Sequence, residues 1–197
     1  AAGFRWMAER AGISFADKKV IILGSGGASL TAQAVCRAMG AREVIVVSRS
    51  GEHNYENLSR HADAEIIVNT TPVGMYPNTG MSPVNLSQFP LLEGVLDMIY
   101  NPARTKLLLD AEERGLVSMN GLWMLVAQAK EAAEYVKQTG VDALAVAIGT
   151  AHGVYKTKPK MNLERLSEIR QRIDTPLVLH GGSGLSDNDF RNTIKYG

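Results

Sequence analysis

The chain has 197 residues, and 21 lysines and arginines against 20 aspartates and glutamates leave a formal charge of +1. That balance excludes a polybasic binder of nucleic acid or of a membrane surface. At about 150 residues per domain, the length exceeds one ordinary domain and falls short of two. A single cysteine, Cys36, excludes an internal disulfide and a cysteine-rich zinc module, and it points to a reducing compartment, by default the cytoplasm. No apolar run approaches the ~18 residues of a membrane span, and the start of the chain lacks the basic-then-apolar order of a signal peptide.

In chain order, the pattern predicts a helix over 3–11, a strand over 20–23, a glycine-rich turn, a helix over 29–39 and a strand over 43–48. A short helix over 55–59 and a strand over 65–69 follow, then a Pro- and Gly-rich loop from Thr71 to Pro90 and a strand over 95–99. The remainder reads as helix 105–113, strand 117–119, helix 122–138, strand 143–148, helix 163–172, strand 177–180 and helix 187–196. Strands rich in Val and Ile, apolar on both faces and alternating with amphipathic helices, predict an α/β protein with a parallel sheet buried on both sides.

The strand Val20-Ile21-Ile22-Leu23 runs straight into Gly24-Ser25-Gly26-Gly27-Ala28-Ser29 and a helix. A strand, a glycine turn and a helix in that order are the context of a dinucleotide fingerprint. Gly24 permits the tight turn, Gly26 lets a pyrophosphate approach the backbone, Ser29 fills the third small position, and the helix N-terminus offers free N–H groups to the anion. The second strand ends in Ser48-Arg49-Ser50, where an NAD site would place a carboxylate for the ribose hydroxyl. A carboxylate would repel a 2′-phosphate and Arg49 attracts one, so the pair of motifs favours NADP over NAD. A glycine turn followed by a solvated arginine is the plainer alternative.

Further segments fall in order behind these. They are Val68-Asn69-Thr70-Thr71-Pro72-Val73-Gly74-Met75, Val95-Leu96-Asp97-Met98-Ile99-Tyr100-Asn101-Pro102, and Asn120-Gly121-Leu122-Trp123-Met124-Leu125-Val126-Ala127-Gln128. With them, residues 2–134 resemble the C-terminal, NADP-binding domain of shikimate dehydrogenase. The resemblance implies that Gly24, Ser25, Gly26, Gly27 and Ala28 cradle the cofactor phosphates with Ser48, Arg49 and Ser50 beside them. It also implies that Thr70, Thr71, Pro72, Val73 and Met98 line the nicotinamide-ribose side, that Gly121 and Met124 line the nicotinamide, and that Tyr100 and Gln128 reach shikimate. Trp123 departs from the glycine often found there. The family's catalytic lysine and aspartate belong to a substrate domain that precedes this region, and the matching residues supply no such pair, so dehydrogenase activity is not expected.

Beyond Glu134 the vocabulary changes. The runs Ala143-Leu144-Ala145-Val146-Ala147-Ile148-Gly149-Thr150-Ala151-His152-Gly153-Val154-Tyr155-Lys156 and Leu177-Val178-Leu179-His180-Gly181-Gly182-Ser183-Gly184 each place a strand before a His-Gly pair. Ends of adjacent parallel strands lie ~5 Å apart, so His152 and His180 could face one ion, although ordinary hydrogen-bonded imidazoles explain them equally well. The turn over 181–184 before a helix is a second phosphate-cradle candidate. Residues 135–197 resemble part of a class II, zinc-dependent fructose- or tagatose-bisphosphate aldolase, a (β/α)8 barrel. That resemblance implies zinc ligation by His152 and His180, and contact of Gly153, Lys156, Gly181 and Ser183 with the substrate phosphate or a monovalent cation. The third zinc ligand and the catalytic aspartate lie upstream of the matching region in that family, so neither a working zinc site nor aldol chemistry is expected.

His53 and His61 sit in polar surroundings and read as solvated surface residues, and Cys36 reads as a small buried residue rather than a nucleophile. The expected architecture is a doubly wound, Rossmann-like parallel sheet of about seven strands in the order 3-2-1-4-5-6-7. In it a dinucleotide-binding part, 1–134, merges with two barrel βα units, 135–197, into one domain. A Rossmann domain with a separate small subdomain is the competing arrangement. Two families meeting inside one predicted helix, with no linker, suggest an engineered chimera. Three functions follow as expectations: a fold-level chimera that retains NADP binding without native catalysis, a residual dehydrogenase or aldolase, or a weak metal and phosphate site. No zinc is expected. Neither nucleic acid nor membrane is an expected partner, and a homodimer would cover the apolar surface.

Overall fold

In the computed structural model, which describes residues 2–150 and 161–197 and only the backbone of Ser183, four strand segments place their residues alternately on two apolar layers. Strand β1 (Lys19–Leu23) is buried at every position. Val20 and Ile22 face one layer with Ile66, Val68 and Leu96, where Phe4, Met7 and Ala8 of helix α1 (Ala2–Ala11) and Ala32, Val35 and Cys36 of helix α2 (Gly27–Ala38) complete the packing. Ile21 and Leu23 face the other with Ile45, Val47, Ile67 and Val95, against Leu107, Leu108 and Ala111 of helix α3 (Lys106–Glu113). Side chains on successive strand residues point to opposite faces, so a run of apolar residues needs a cover on each side. The helices supply both, and the unit is doubly wound.

This sheet has five parallel strands in the order β2-β1-β3-β4-β5, with β2 at Glu43–Val47, β3 at Ile66–Asn69, β4 at Gly94–Asp97 and β5 at Val117–Asn120. The parallel α/β class is as expected, whereas the order 3-2-1-4-5-6-7 is corrected. All four positions of β3 are buried, while β2 exposes Glu43 and half-exposes Val44 and Val46. A strand apolar on both faces gains most from an interior position. Accordingly β3 pairs with β1 through Val20↔Ile66 to Leu23↔Asn69, and β2 is left at the edge. The link from β2 to β3 carries a 3-10 turn at Leu58–His61 in place of the helix expected over 55–59. Strand β5, with Val117 46% exposed, closes the other edge.

The single merged sheet is corrected as well. Among the described residues, β6 (Leu144–Ala145) and β7 (Leu177–Val178) pair in parallel as a separate two-stranded sheet. The run expected as strand 143–148 leaves Ala143, Ala145 and Ala147 exposed, so it is covered on one side only. The chain forms two compact units, residues 1–124 and 125–197, which divide within helix α4 (Leu122–Thr139). In the second unit, Ala129, Ala132, Ala133 and Val136 of α4 pack with Ile169 of helix α5 (Leu163–Arg170), Ile173, Leu144, Val146 and Leu177. Helix α6 (Asp187–Tyr196) follows a 3-10 turn at Gly182–Gly184.

Candidate functional site

The strand order puts the switch in chain direction between β1 and β3, and in open α/β sheets ligands bind at such a point, beyond the carboxyl ends of the strands. Two loops meet there. Gly24 has φ +104°, and a Cβ on it would lie 2.7 Å from Thr70 Oγ1 and 3.2 Å from Thr71 Cγ2. Thr70 donates to the Leu23 carbonyl through both its N–H (2.9 Å) and its Oγ1 (2.6 Å), which draws the loop after β3 onto the loop after β1. On the other flank, Gly24 N–H donates to the Val47 carbonyl (2.8 Å), so Ser48, Arg49 and Ser50 emerge beside the glycine turn.

The turn itself is open. Ser25, Gly26, Gly27 and Ala28 are exposed, and Cβ atoms on Gly26 or Gly27 would meet nothing within 4 Å. Gly26 caps α2 with no side-chain hydrogen bond to the first-turn N–H groups. Those donors are available to an anion, and the helix dipole favours one. Ser29 is fully buried and accepts from Gln33 Nε2 (3.2 Å). Ser48 is half-buried, and Arg49 and Ser50 are exposed.

Behind the loops lies a buried polar relay that sequence reasoning missed. Asp97, at the end of β4, accepts from Asn69 Nδ2 (3.0 Å), Ile99 N–H (3.0 Å) and Thr105 Oγ1 (2.6 Å). Asn69 Oδ1 in turn accepts from Thr71 N–H (3.0 Å) and Thr71 Oγ1 (2.7 Å). Burial pushes the Asp97 carboxyl above its ordinary value, against the three donors that favour its charged form. One carboxylate therefore fixes the start of the Thr70, Thr71, Pro72, Val73 loop, the chain after β4, and the N-cap of α3, where Thr105 Oγ1 also accepts from Leu108 N–H (3.3 Å). The available signal was a short polar residue ending each of two otherwise apolar strands.

The other expected residues divide between the units. Met98 is half-buried and its N–H donates to the Asn69 carbonyl (3.0 Å), and Tyr100 is half-buried just beyond it. Gly121 packs so tightly on Met98 that an added Cβ would run into the Met98 carbonyl. Met124 packs in the layer shared with α1, as does Trp123, whose ring meets Trp6 edge-on at 5.4 Å with the Arg10 guanidinium 5.1 Å from its centre. Gln128 belongs to the second unit, and its Oε1 is buried without a hydrogen-bond partner among the described residues.

In the second unit His152, Gly153 and Lys156 lie outside the described residues. His180 is exposed after β7, and Gly181 has φ +69° at the entry to the 3-10 turn that contains Ser183. The N-terminus of α6 is closed by a reciprocal capping box between Ser186 and Asp189, with Asp187 in the same turn. These groups occupy donors and add negative charge where a phosphate would sit. No group of three or more His, Cys, Asp or Glu among the described residues could hold a metal ion. A cavity of about 370 Å³ in this unit is lined by apolar side chains that include Val146, Ile148, Leu177, Leu179 and Phe190.

Two expectations elsewhere resolve differently. Cys36 is fully buried and its thiol is pushed up to about 12, which suits packing rather than nucleophilic attack. His61, expected as a solvated residue, is only 7% exposed, and its Nε2 lies 3.0 Å from His53 Nδ1. It ends the 3-10 turn at Leu58–His61, whose first residue, Leu58, is buried as well. No described helix is long and apolar enough to cross a membrane.

Comparison with known proteins finds two kinds of similarity. The family model for class-II fructose-bisphosphate aldolase matches residues 108–197, beginning in α3, ahead of the expected boundary at 134. Among solved structures, shikimate dehydrogenase 1 from Peptoclostridium difficile is 36% identical with a TM-score of 0.63, over 71% of this chain and 56% of its own. A chorismate mutase/shikimate 5-dehydrogenase fusion protein from Clostridium acetobutylicum is 34% identical with a TM-score of 0.65, over 71% and 54%. Shikimate 5-dehydrogenase from Thermus thermophilus, solved with NADP(H) and shikimate, is 28% identical with a TM-score of 0.59, over 71% and 55%. The chain thus spans little more than half the length of these enzymes, and it combines shikimate dehydrogenase-like with class-II aldolase-like sequence.

Proposed function

We propose that the chain is an engineered chimera that binds NADP(H) through its first unit and carries the native catalysis of neither parent. One observation carries the reading: the open glycine turn lies beside Arg49, the one cation among residues 24–29, 48–50, 69–75, 97–101 and 120–124. The turn suits a pyrophosphate, and Arg49 suits a 2′-phosphate. The one carboxylate in those segments, Asp97, is enclosed by its three donors, and no lysine stands among them to relay a proton to a carbonyl. The meeting of two families without a linker is what recombination of fragments would leave.

Titration with NADPH and NADH, followed by calorimetry or nicotinamide fluorescence, tests the binding. NADPH is expected to bind about tenfold or more tightly than NADH, and Arg49→Glu to abolish the difference. Absence of NADPH binding at millimolar concentration, or equal affinities for the two, would overturn it. Assays for NADPH oxidation with dehydroshikimate and for cleavage of fructose bisphosphate test the other half. Turnover in either removes the claim that native catalysis is absent.

A further inference from the structure

The loop that carries Arg49 is closed by a histidine. Ser48 N–H donates to the His53 carbonyl (3.1 Å), and Asn54 Nδ2 donates to the Gly51 carbonyl (3.3 Å). The bend is tight: a Cβ on Gly51 would lie 2.7 Å from Ser48 Oγ and 3.3 Å from the His53 carbonyl oxygen. From the far side, Asn57 Nδ2 donates to the Glu52 carbonyl (2.8 Å). The ring of His53 then ties this closed loop to His61 through the 3.0 Å contact between Nδ1 and Nε2, the rings meeting edge-on at 4.7 Å.

The chemistry of that contact allows one hydrogen between the two nitrogens. If His61 donates from Nε2, its other nitrogen, Nδ1, is a bare lone pair. If His53 donates, His61 must keep its proton on Nδ1, which is buried and has no hydrogen-bond partner among the described residues. An enclosed N–H with no acceptor is the costlier of the two, so His61 is the donor and His53 the acceptor. A ring that accepts at Nδ1 must be uncharged, because a protonated imidazole has an N–H on both nitrogens. The groups around His61 oppose a charge there too. Burial, followed by the Lys19 ammonium on β1 and by His53 itself, holds its imidazole below the ordinary value, against weaker pulls from Glu43 on β2 and from Asp63.

We propose that the His53–His61 hydrogen bond is a proton-sensitive latch that positions the Arg49 loop and so sets the preference for a 2′-phosphorylated dinucleotide, holding while the pair is neutral and releasing when His53 gains a proton. His53 and His61 are positioning residues here: they act on the ligand through the loop. The inference deepens the dinucleotide reading and rests on it for its effect on affinity, whereas the latch itself can be observed without any ligand.

The test uses the whole chain at about pH 8 and about pH 5.5. NADPH and NADH affinities are measured for the parent, for His53→Gln, whose carbonyl oxygen can accept from His61 without titrating, and for His61→Phe, which removes the donor. The parent's preference for NADPH is expected to fall between the two pH values about tenfold more than that of His53→Gln. Titration of the ligand's own 2′-phosphate is common to both and cancels. His61→Phe is expected to show the weakened preference already at pH 8. Parallel profiles for the parent and His53→Gln would overturn the proposal. Amide exchange of residues 48–57 without ligand, corrected for intrinsic rates, provides the second arm. Protection is expected to be lost at pH 5.5 in the parent and kept in His53→Gln, and equal protection of the parent at both pH values would overturn the latch. Absence of NADPH binding at pH 8 instead sinks the dinucleotide reading and the selectivity role with it, and the exchange result then decides the latch alone.

Discussion

A methyl group at Gly24 would have to sit 2.7 Å from Thr70 Oγ1 in a residue whose φ is already +104°. Gly24→Ala is therefore expected to cost about 2 kcal/mol or more in urea unfolding, from backbone strain and contact together. Asp97 makes a different kind of prediction. Its carboxyl is raised in the folded chain, so in the window above its ordinary value of 3.8 the folded state holds more proton than the unfolded one. Stability contributed by this group then falls as pH rises. Asp97→Asn cannot ionise, so chemical denaturation should show its stability improving relative to the parent between about pH 3.5 and pH 7. A difference that stays constant over that range would contradict the assignment. Neither Asp97 nor Asn69 stood out in the sequence, because a polar residue at a strand end reads as solvated until the facing strand is known. The glycines were legible for the opposite reason: their conformational role is local and needs no partner.

Among elements, the relation of β2 to β3 is the instructive one. Glu43-Val44-Ile45-Val46-Val47 and Ile66-Ile67-Val68-Asn69 both read as buried strands from composition, yet only the second is covered on both faces. The distinction lay in Glu43, a charged residue inside the strand itself, a weak signal beside so many β-branched side chains. Glu65 shows how the order is held. Its carboxylate accepts from Lys19 N–H (2.9 Å) and Lys18 Nζ (3.0 Å) and contacts Arg42 (3.2 Å), so it staples β1 to the start of β3. The backbone hydrogen bond from Lys19, followed by Lys18 and Arg42, holds Glu65 below the ordinary carboxylate value. Such stabilisation is complete above that value and disappears as pH falls through the depressed one. Glu65→Gln should accordingly destabilise the chain at pH 7, and that cost should shrink as the pH is lowered through the acid range, in a series of denaturant titrations. At α6, Ser186→Ala removes one half of a capping box and is expected to cost about 1 kcal/mol, read from the amide exchange of residues 187–196.

Across the whole molecule, the two compact units differ in what protects them. The first hides β1, β3 and β4 between two helical layers, whereas the second rests on two-residue strands with Ala145 and Val178 exposed. Buried, fully paired backbone opens only with the larger cooperative unit. Hydrogen exchange should therefore find β1, β3 and β4 protected longest and β6, β7 and α6 exchanging well before them. Uniform protection across both units would show instead a single cooperative transition. The change of family along the chain was legible because motifs are local. The division into two sheets was not, because it depends on how far strands 143–148 and 177–180 are covered, and coverage is a property of the packed chain. The glycines of the first unit would give a saturation-mutagenesis map two kinds of intolerant position that look alike in a fitness table. Gly121 is closed by the Met98 carbonyl, so its intolerance would persist in a population grown without any selection for binding. Gly26 and Gly27 face empty space, so selection against side chains there would mark the footprint of something that comes to the protein from outside.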